Sequence, residues 1–218
     1  MATIEGYAAS TVPVLADLVR RVLGASGLIA LPTETFYGLA AAPFDEQALA
    51  KLWKIKGRSQ GKPILVLIGD RSQFEPFVGS IPHAADVLMD AFWPGPLTIV
   101  CAAARGLSDA VTAGTGSVGI RFSAWQPLVD LLRRVGPVTG TSANREGMPP
   151  PTTAEEVQHN LGEELNLIVD AGTTPGGPPS TVIDVRGPIR IIRKGSIERG
   201  VIAAQLAAHG LQLAPDSR

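Results

Sequence analysis

The sequence predicts an α/β fold: a single domain built on an open, twisted, mixed sheet flanked by helices. Three observations predict it. Apolar runs of strand length, at 64–68, 97–102 and 117–122, are interleaved with amphipathic segments of helical period at 12–23, 82–92 and 126–135. The two kinds of segment do not alternate strictly, which argues for mixed pairing in one sheet and against a regular doubly wound fold. The chain has 218 residues, 45% of them apolar and 18% charged, enough to fill one large core.

The elements follow in order. Residues 12–23 place Val14, Leu15, Leu18, Val19 and Val22 at helical spacing, with Arg20 and Arg21 near the C-terminal end, where the helix dipole favours cations. Gly24 and Gly27 stop this helix, and 28–31 is a short buried strand ending at Pro32. Asp45 is placed to cap a helix through Ala48, Leu49, Leu52 and Trp53. Pro63 precedes the strand at 64–68, and the helix at 82–92 stops at Trp93-Pro94-Gly95-Pro96. Strands at 97–102 and 117–122 come next, then a helix at 126–135 that ends at Gly136-Pro137 and a strand at 137–139. Thr153 caps a helix with Glu155 and Glu156 in its first turn; strands follow at 167–169, 181–185 and 189–192. Ser196 is expected to cap a last helix to about Ala208. The domain therefore covers 1–210, with a tail at 211–218 expected to fray. Pro- and Gly-rich stretches at 147–151 and 172–179 have the length of loops, not of domain linkers.

Composition excludes several function classes. A net charge of −1 argues against coating nucleic acid through bulk charge, so any basic site is local. The single cysteine, Cys101, lies in an apolar run; it reads as a small buried hydrophobe and excludes a disulfide framework. Residues 1–15 contain Glu5 and no long apolar core, unlike a signal peptide. No apolar stretch approaches the roughly 20 residues of a membrane span. The expected location is the cytoplasm.

Five segments carry polar chemistry. Thr33, Glu34 and Thr35 stand in the loop after the strand at 28–31, either as a ligand-binding strand end or as an ordinary turn. Lys51, Lys54, Lys56, Arg58 and Lys62 fall together, and no acid occurs between Gln47 and Gly69. Cations clustered where a helix gives way to a strand suit phosphate oxygens, although a solvated basic patch needs no ligand. Thr141, Ser142 and Asn144 sit just after the strand at 137–139, offering hydroxyls and an amide on a tight backbone. Ser180-Thr181 and Arg193-Lys194-Gly195 flank the last strands. Arg121 lies inside an apolar strand and needs an anion or a polar cavity unless its face is solvated. His83, His159 and His209 lack partners for a nucleophile triad, and neither a metal-ligand set, a Walker A loop nor a dinucleotide fingerprint occurs.

Taken in order, eight pieces resemble the YrdC-like family, the threonylcarbamoyl-AMP synthases, in their short bacterial form. They are Pro-Thr-Glu-Thr-Phe-Tyr-Gly at 32–38, Lys-x-Arg at 56–58, Lys-Pro-Ile-Leu-Val at 62–66 and Trp-Pro-Gly-Pro-Leu-Thr at 93–98. Val-Gly-Ile-Arg at 118–121, Thr-Ser-Ala-Asn at 141–144, Ser-Thr-Val-Ile at 180–183 and Ile-Arg-Lys-Gly at 192–195 complete the set. The resemblance implies an open twisted sheet around a concave basic cavity. It also implies synthesis of threonylcarbamoyl-AMP and pyrophosphate from ATP, L-threonine and bicarbonate, with Mg²⁺ accompanying ATP. The product would pass to tRNA threonylcarbamoyl-transferase proteins, with weak or indirect tRNA contact by this chain. By position, Lys56 and Arg58 are the catalytic pair. They meet the nucleotide together with Lys62, Ser117, Ser142, Asn144 and Arg193. Thr35, Arg121 and Ser180 hold threonine, with Arg121 on its carboxylate, and the role of Glu34 stays open. Two departures stand out: Leu67 occupies a position that is histidine in long family members, and the extra C-terminal domain of those relatives has no counterpart. The competing expectations are an RNA-binding module and a fold paralogue without this activity.

Overall fold

The computed structural model describes residues 1–57 and 63–215. The strands are β1 (Thr3–Gly6), β2 (Ile29–Leu31), β3 (Gly38–Ala40), β4 (Leu65–Ile68), β5 (Leu97–Ala102), β6 (Ser117–Phe122), β7 (Val138–Ser142), β8 (Leu167–Asp170), β9 (Thr181–Asp184) and β10 (Arg190–Arg193). The helices are α1 (Val12–Gly24), α2 (Glu46–Lys56), α3 (His83–Phe92), α4 (Asp109–Thr112), α5 (Gln126–Val135), α6 (Ala154–Leu161) and α7 (Arg199–Ala207). The strands form one sheet in the order β1-β8-β2-β3-β7-β4-β6-β5-β9-β10. Pairs β1–β8, β8–β2, β4–β6 and β5–β9 are parallel and the remainder antiparallel, so the expected mixed sheet is observed.

Local sequence explains most boundaries. Asp45 caps α2, its carboxylate accepting from the N–H groups of Gln47 and Ala48, each at 3.0 Å. Gly57, at φ +56°, ends the same helix in the left-handed conformation that a side chain would strain. Thr153 caps α6 through the Glu156 N–H at 3.2 Å. Pro13 stands in the first turn of α1, where no backbone donor is lost.

Four expectations need correction. Strands β1 and β3 and the short α4 were not anticipated: β1 is exposed throughout, and β3 reads Gly-Leu-Ala, without branched or aromatic residues. Strand β7 extends to Ser142, so Thr141 and Ser142 belong to the sheet and not to a following loop. Ser196 does not cap α7; Glu198 holds that position without a side-chain bond, while Ser196 donates to the carbonyls of Pro178 and Pro179. Of the tail expected to fray, residues 211–214 dock instead. Leu211 and Leu213 pack on the core, and the Ala214 N–H donates to the Ile189 carbonyl at 2.7 Å.

The two halves of the sheet are covered differently. In β2, β3 and β8, alternate side chains go to opposite helical layers. Ile29, Leu31, Ala40, Leu167 and Val169 meet α1 and α5, whereas Ala30, Leu39 and Ile168 meet α2 and α6. In β4, β5 and β6 one face carries Val66, Ile68, Ile99, Cys101, Val118, Ile120 and Phe122 into a core shared with α3 and α7. The opposite face of those strands lines an open cavity. No helix among the described residues is long and apolar enough to cross a membrane.

Candidate active site

Period-two alternation builds the cavity wall. Strand β6 contributes Ser117, Gly119 and Arg121; β5 contributes Thr98 and Val100; β4 contributes Leu65 and Leu67; β7 contributes Gly140 and Ser142. The cavity holds about 850 Å³, within the range of ordinary ligand sites. Its floor is hollow because two strand positions lack a side chain. A Cβ on Gly140 would stand 2.8 Å from Leu67, and one on Gly119 would stand 3.2 Å from Thr98.

Eight residues singled out in the sequence line this one cavity: Thr35, Lys56, Ser117, Arg121, Ser142, Asn144, Ser180 and Arg193. Arg58 and Lys62 lie outside the described residues. Thr98, Thr115, Glu146 and Arg186 also line the cavity and were not anticipated. Thr98 was hidden inside an apolar strand, where only its alternate position, two residues before Val100, marks the face. Leu67 also lines the cavity, directly across from Arg121 in the β4–β6 register.

Lys56 is not on a solvated loop end, as its position in the chain suggested. It is the last residue of α2 and is 5% exposed. Its ammonium donates to the Ser142 carbonyl at 2.8 Å, the Asn144 carbonyl at 2.6 Å and the Asn144 Oδ1 at 3.1 Å. The lysine thereby ties the end of α2 to the end of β7 and fixes the Ser142–Asn144 segment at the cavity wall. Asn144 Nδ2 in turn donates to the carbonyls of Arg145 and Met148, which shapes the loop beyond.

The Thr33–Phe36 loop is both a turn and a cavity wall. Thr33 Oγ1 donates to the Phe36 carbonyl at 2.7 Å and accepts from the N–H groups of Thr35 and Phe36, so its proton is used within the turn. Thr35 Oγ1 lies 3.1 Å from Thr33 Oγ1, and Thr35 is one of the residues that line the cavity. Opposite lies a second hydroxyl cluster. Arg193 Nη2 donates to Ser180 Oγ at 2.9 Å and to the Ser180 carbonyl at 2.9 Å, and Ser180 Oγ is 2.9 Å from Thr98 Oγ1. Gly195 permits this geometry, because a Cβ there would lie 2.3 Å from the Pro179 carbonyl oxygen. Ser117 Oγ is paired with Thr115 Oγ1 at 2.7 Å.

Arg121 is buried in β6 and faces the cavity, not solvent. Its Nη2 is 2.6 Å from Glu34 Oε1, yet neither Nε nor Nη2 makes a directed hydrogen bond among the described residues. Burial depresses the pKa of Arg193, and the like charge of Arg121 depresses it further. Both guanidiniums belong to residues that line the cavity. Glu34 behaves as the counter-charge. Burial alone would raise its pKa, but the Arg121 charge and the Ser123 hydroxyl outweigh this and hold it below the usual carboxylate range. Cys101 lies on the opposite face of the sheet, and burial pushes its thiol up to about 12, so it is inert as a nucleophile.

The sequence model of the Sua5/YciO/YrdC family, described as "Telomere recombination", matches residues 21–195. The chain belongs to the Sua5/YciO/YrdC family. Every cavity residue named above falls inside the matched span. The threonylcarbamoyl-AMP synthase of Bacillus subtilis is 40% identical over 180 residues, covering 81% of this chain and 52% of that protein. The threonylcarbamoyl-AMP synthase of Thiobacillus denitrificans is 36% identical over 160 residues, covering 73% of this chain and 85% of that one. Among solved structures, Pyrococcus abyssi Sua5 complexed with L-threonine superposes with a TM-score of 0.84 at 30% identity, over 99% of this chain and 62% of that chain. The chain thus spans about three fifths of the length of that archaeal family member. The Sua5/YciO/YrdC fold of that structure agrees with the mixed sheet and flanking helices described above.

Proposed function

We propose that the chain makes L-threonylcarbamoyl-AMP and pyrophosphate from ATP, L-threonine and bicarbonate. The observation that carries this reading is the convergence of separately encoded cations and hydroxyls on one cavity of about 850 Å³. The names of the relatives and the threonine-bound structure of one of them support it. In this reading Arg121, Thr35 and Ser180 receive threonine, with Arg121 on its carboxylate. Lys56, Ser117, Ser142, Asn144 and Arg193 face the nucleotide, with Arg58 and Lys62 completing the phosphate site.

The residue types fit the chemistry. The threonine amine joins bicarbonate to give a carbamate with loss of water. A carbamate oxygen then attacks the α-phosphorus of ATP, and the bond to pyrophosphate breaks. Every reactant other than the amine is anionic, so neutralisation and alignment dominate and no protein nucleophile is needed. Mg²⁺ would arrive on the triphosphate and reduce its charge. Glu146 and the hydroxyls of Thr115 and Ser117 are among the hard oxygen donors of the residues that line the cavity. Among the described residues no three His, Cys, Asp or Glu side chains gather into a metal site. The product would pass, in the cytoplasm, to proteins that transfer the threonylcarbamoyl group to tRNA.

Purified protein should release pyrophosphate from ATP only when threonine and bicarbonate are both present. Release that ignores threonine would overturn the assignment, as would tight RNA binding without turnover.

A further inference from the structure

Glu34 has no role in the reaction proposed above, and it is not among the residues that line the cavity. It lies behind Arg121. Its Oε1 stands 2.6 Å from Arg121 Nη2 and accepts from the Ala124 N–H at 3.3 Å. Its Oε2 accepts from Ser123 Oγ at 2.7 Å, and Ser123 Oγ accepts from the Trp125 N–H at 3.2 Å. Ser123 is fully buried. The carboxylate is therefore fixed by the exit of β6 and the entry to α5, two rigid elements, although it is carried by the 33–36 loop.

The guanidinium has the opposite status. Arg121 is 6% exposed, and its Nε and Nη2 are buried without a directed hydrogen bond among the described residues. A buried guanidinium with unspent donors is costly unless a ligand completes it. Its orientation then decides what ligand fits, because the planar fork recognises a carboxylate only when aligned. Glu34 touches the Nη2 end of that fork, and Arg121 is itself one of the residues that line the cavity.

We propose that Glu34 is a positioning residue that holds the Arg121 guanidinium at the angle needed to receive the substrate carboxylate. The inference rests on the threonine reading above for the identity of the carboxylate, but the orientation of Arg121 can be tested without any ligand. Glu34 acts only through Arg121, so it governs amino-acid binding and leaves the nucleotide side untouched.

Two measurements test this on the whole chain. The first is the ¹⁵N–¹H signal of the Arg121 Nη2 group, the nitrogen that meets Glu34 Oε1, assigned by its disappearance in Arg121→Lys. In the unsubstituted protein it should exchange slowly; in Glu34→Gln it should join the fast-exchanging arginines while the backbone amide spectrum persists. Glu34→Asp, which keeps the charge, should restore part of the protection. An Arg121 signal unchanged in Glu34→Gln would overturn the proposal whatever the substrate is. The second is kinetic: Glu34→Gln should raise the KM for threonine by about tenfold or more, with the KM for ATP and the kcat at saturating threonine within about twofold. Equal losses toward ATP and threonine would show a merely structural role and sink the proposal. An unsubstituted protein that does not use threonine would instead refute the function reading, leaving the Nη2 signal to decide on Glu34.

Discussion

The half of the sheet formed by β2, β3 and β8 is covered by helices on both faces; in the half formed by β4, β5 and β6 one face is covered and the other lines the cavity, with only Leu65 and Leu67 of β4 also packed on the α1–α5 layer. The composition of the strands reflects this. Both faces of the first half are aliphatic, as in Ile29, Ala30, Leu31, Leu39 and Ile168. The second half has the same aliphatic character at Val66, Ile99, Val118 and Ile120. Its alternate positions hold Thr98, Ser117, Gly119 and Arg121 instead. Fold and function are thus written on opposite faces of the same strands. A strand with one uncovered face can carry charge and missing side chains that a doubly covered strand could not accommodate.

Three substitutions or titrations would break or sharpen this contrast. The largest effect is expected on the uncovered face, at Lys56→Met. Four protein oxygens would lose their charged donor, the Ser142–Asn144 wall would loosen, and kcat/KM for ATP should fall by about 10²–10³, read from pyrophosphate release. A variant retaining a tenth of the activity would show that the clamp is dispensable. The covered half should behave conversely. Leu39→Ala should lower stability by about 2–5 kcal/mol in urea denaturation, while the folded fraction turns over at about the usual rate. Loss of specific activity at full folding would show that the two halves are not functionally separate.

The smallest effect concerns acid. Glu34 and Asp184 each have a folded-state pKa below the ordinary value, despite burial that opposes this. The causes are Arg121 and Ser123 for Glu34 and Arg186 for Asp184. Their stabilisation is therefore fully present above the ordinary carboxylate range and is lost as pH falls through the depressed values. Stability measured from pH 6 downward should decline below about pH 4.5, and Glu34→Gln should flatten part of that slope. An identical slope in the variant would mean that the Glu34–Arg121 pair contributes nothing to the folded state.

Much of the architecture was legible in the order of residues. Strands β5 and β6 and helix α5 follow from apolar runs and amphipathic spacing, and Asp45 and Gly57 bracket α2 by chemistry that operates within a single turn. β1 and β3 were not legible. β1 has no buried face to leave a pattern, and three residues of Gly-Leu-Ala become a strand only because β2 and β7 stand on either side. Site residues were legible as types but not as contacts. Thr35, Arg121, Ser142 and Ser180 announced themselves as polar groups at strand ends or in apolar strands, whereas Thr98 and Arg186 were masked by their neighbours.

By itself the sequence determined the periods, the caps of α2 and α6, the eight ordered motifs and, with one cysteine, the exclusion of a disulfide framework. Only the tertiary structure decided which face of each strand would be left bare. A period of two separates two faces but does not say which one a helix will cover. It also decided what the charges do. Lys56 meets Ser142 across 86 positions, and Ser123 meets Glu34 across 89. Contacts so distant in the chain exist only once the sheet has closed around them. In that closed arrangement Lys56 is bound up in holding the wall, while Arg121 lines the cavity with Glu34 against its Nη2.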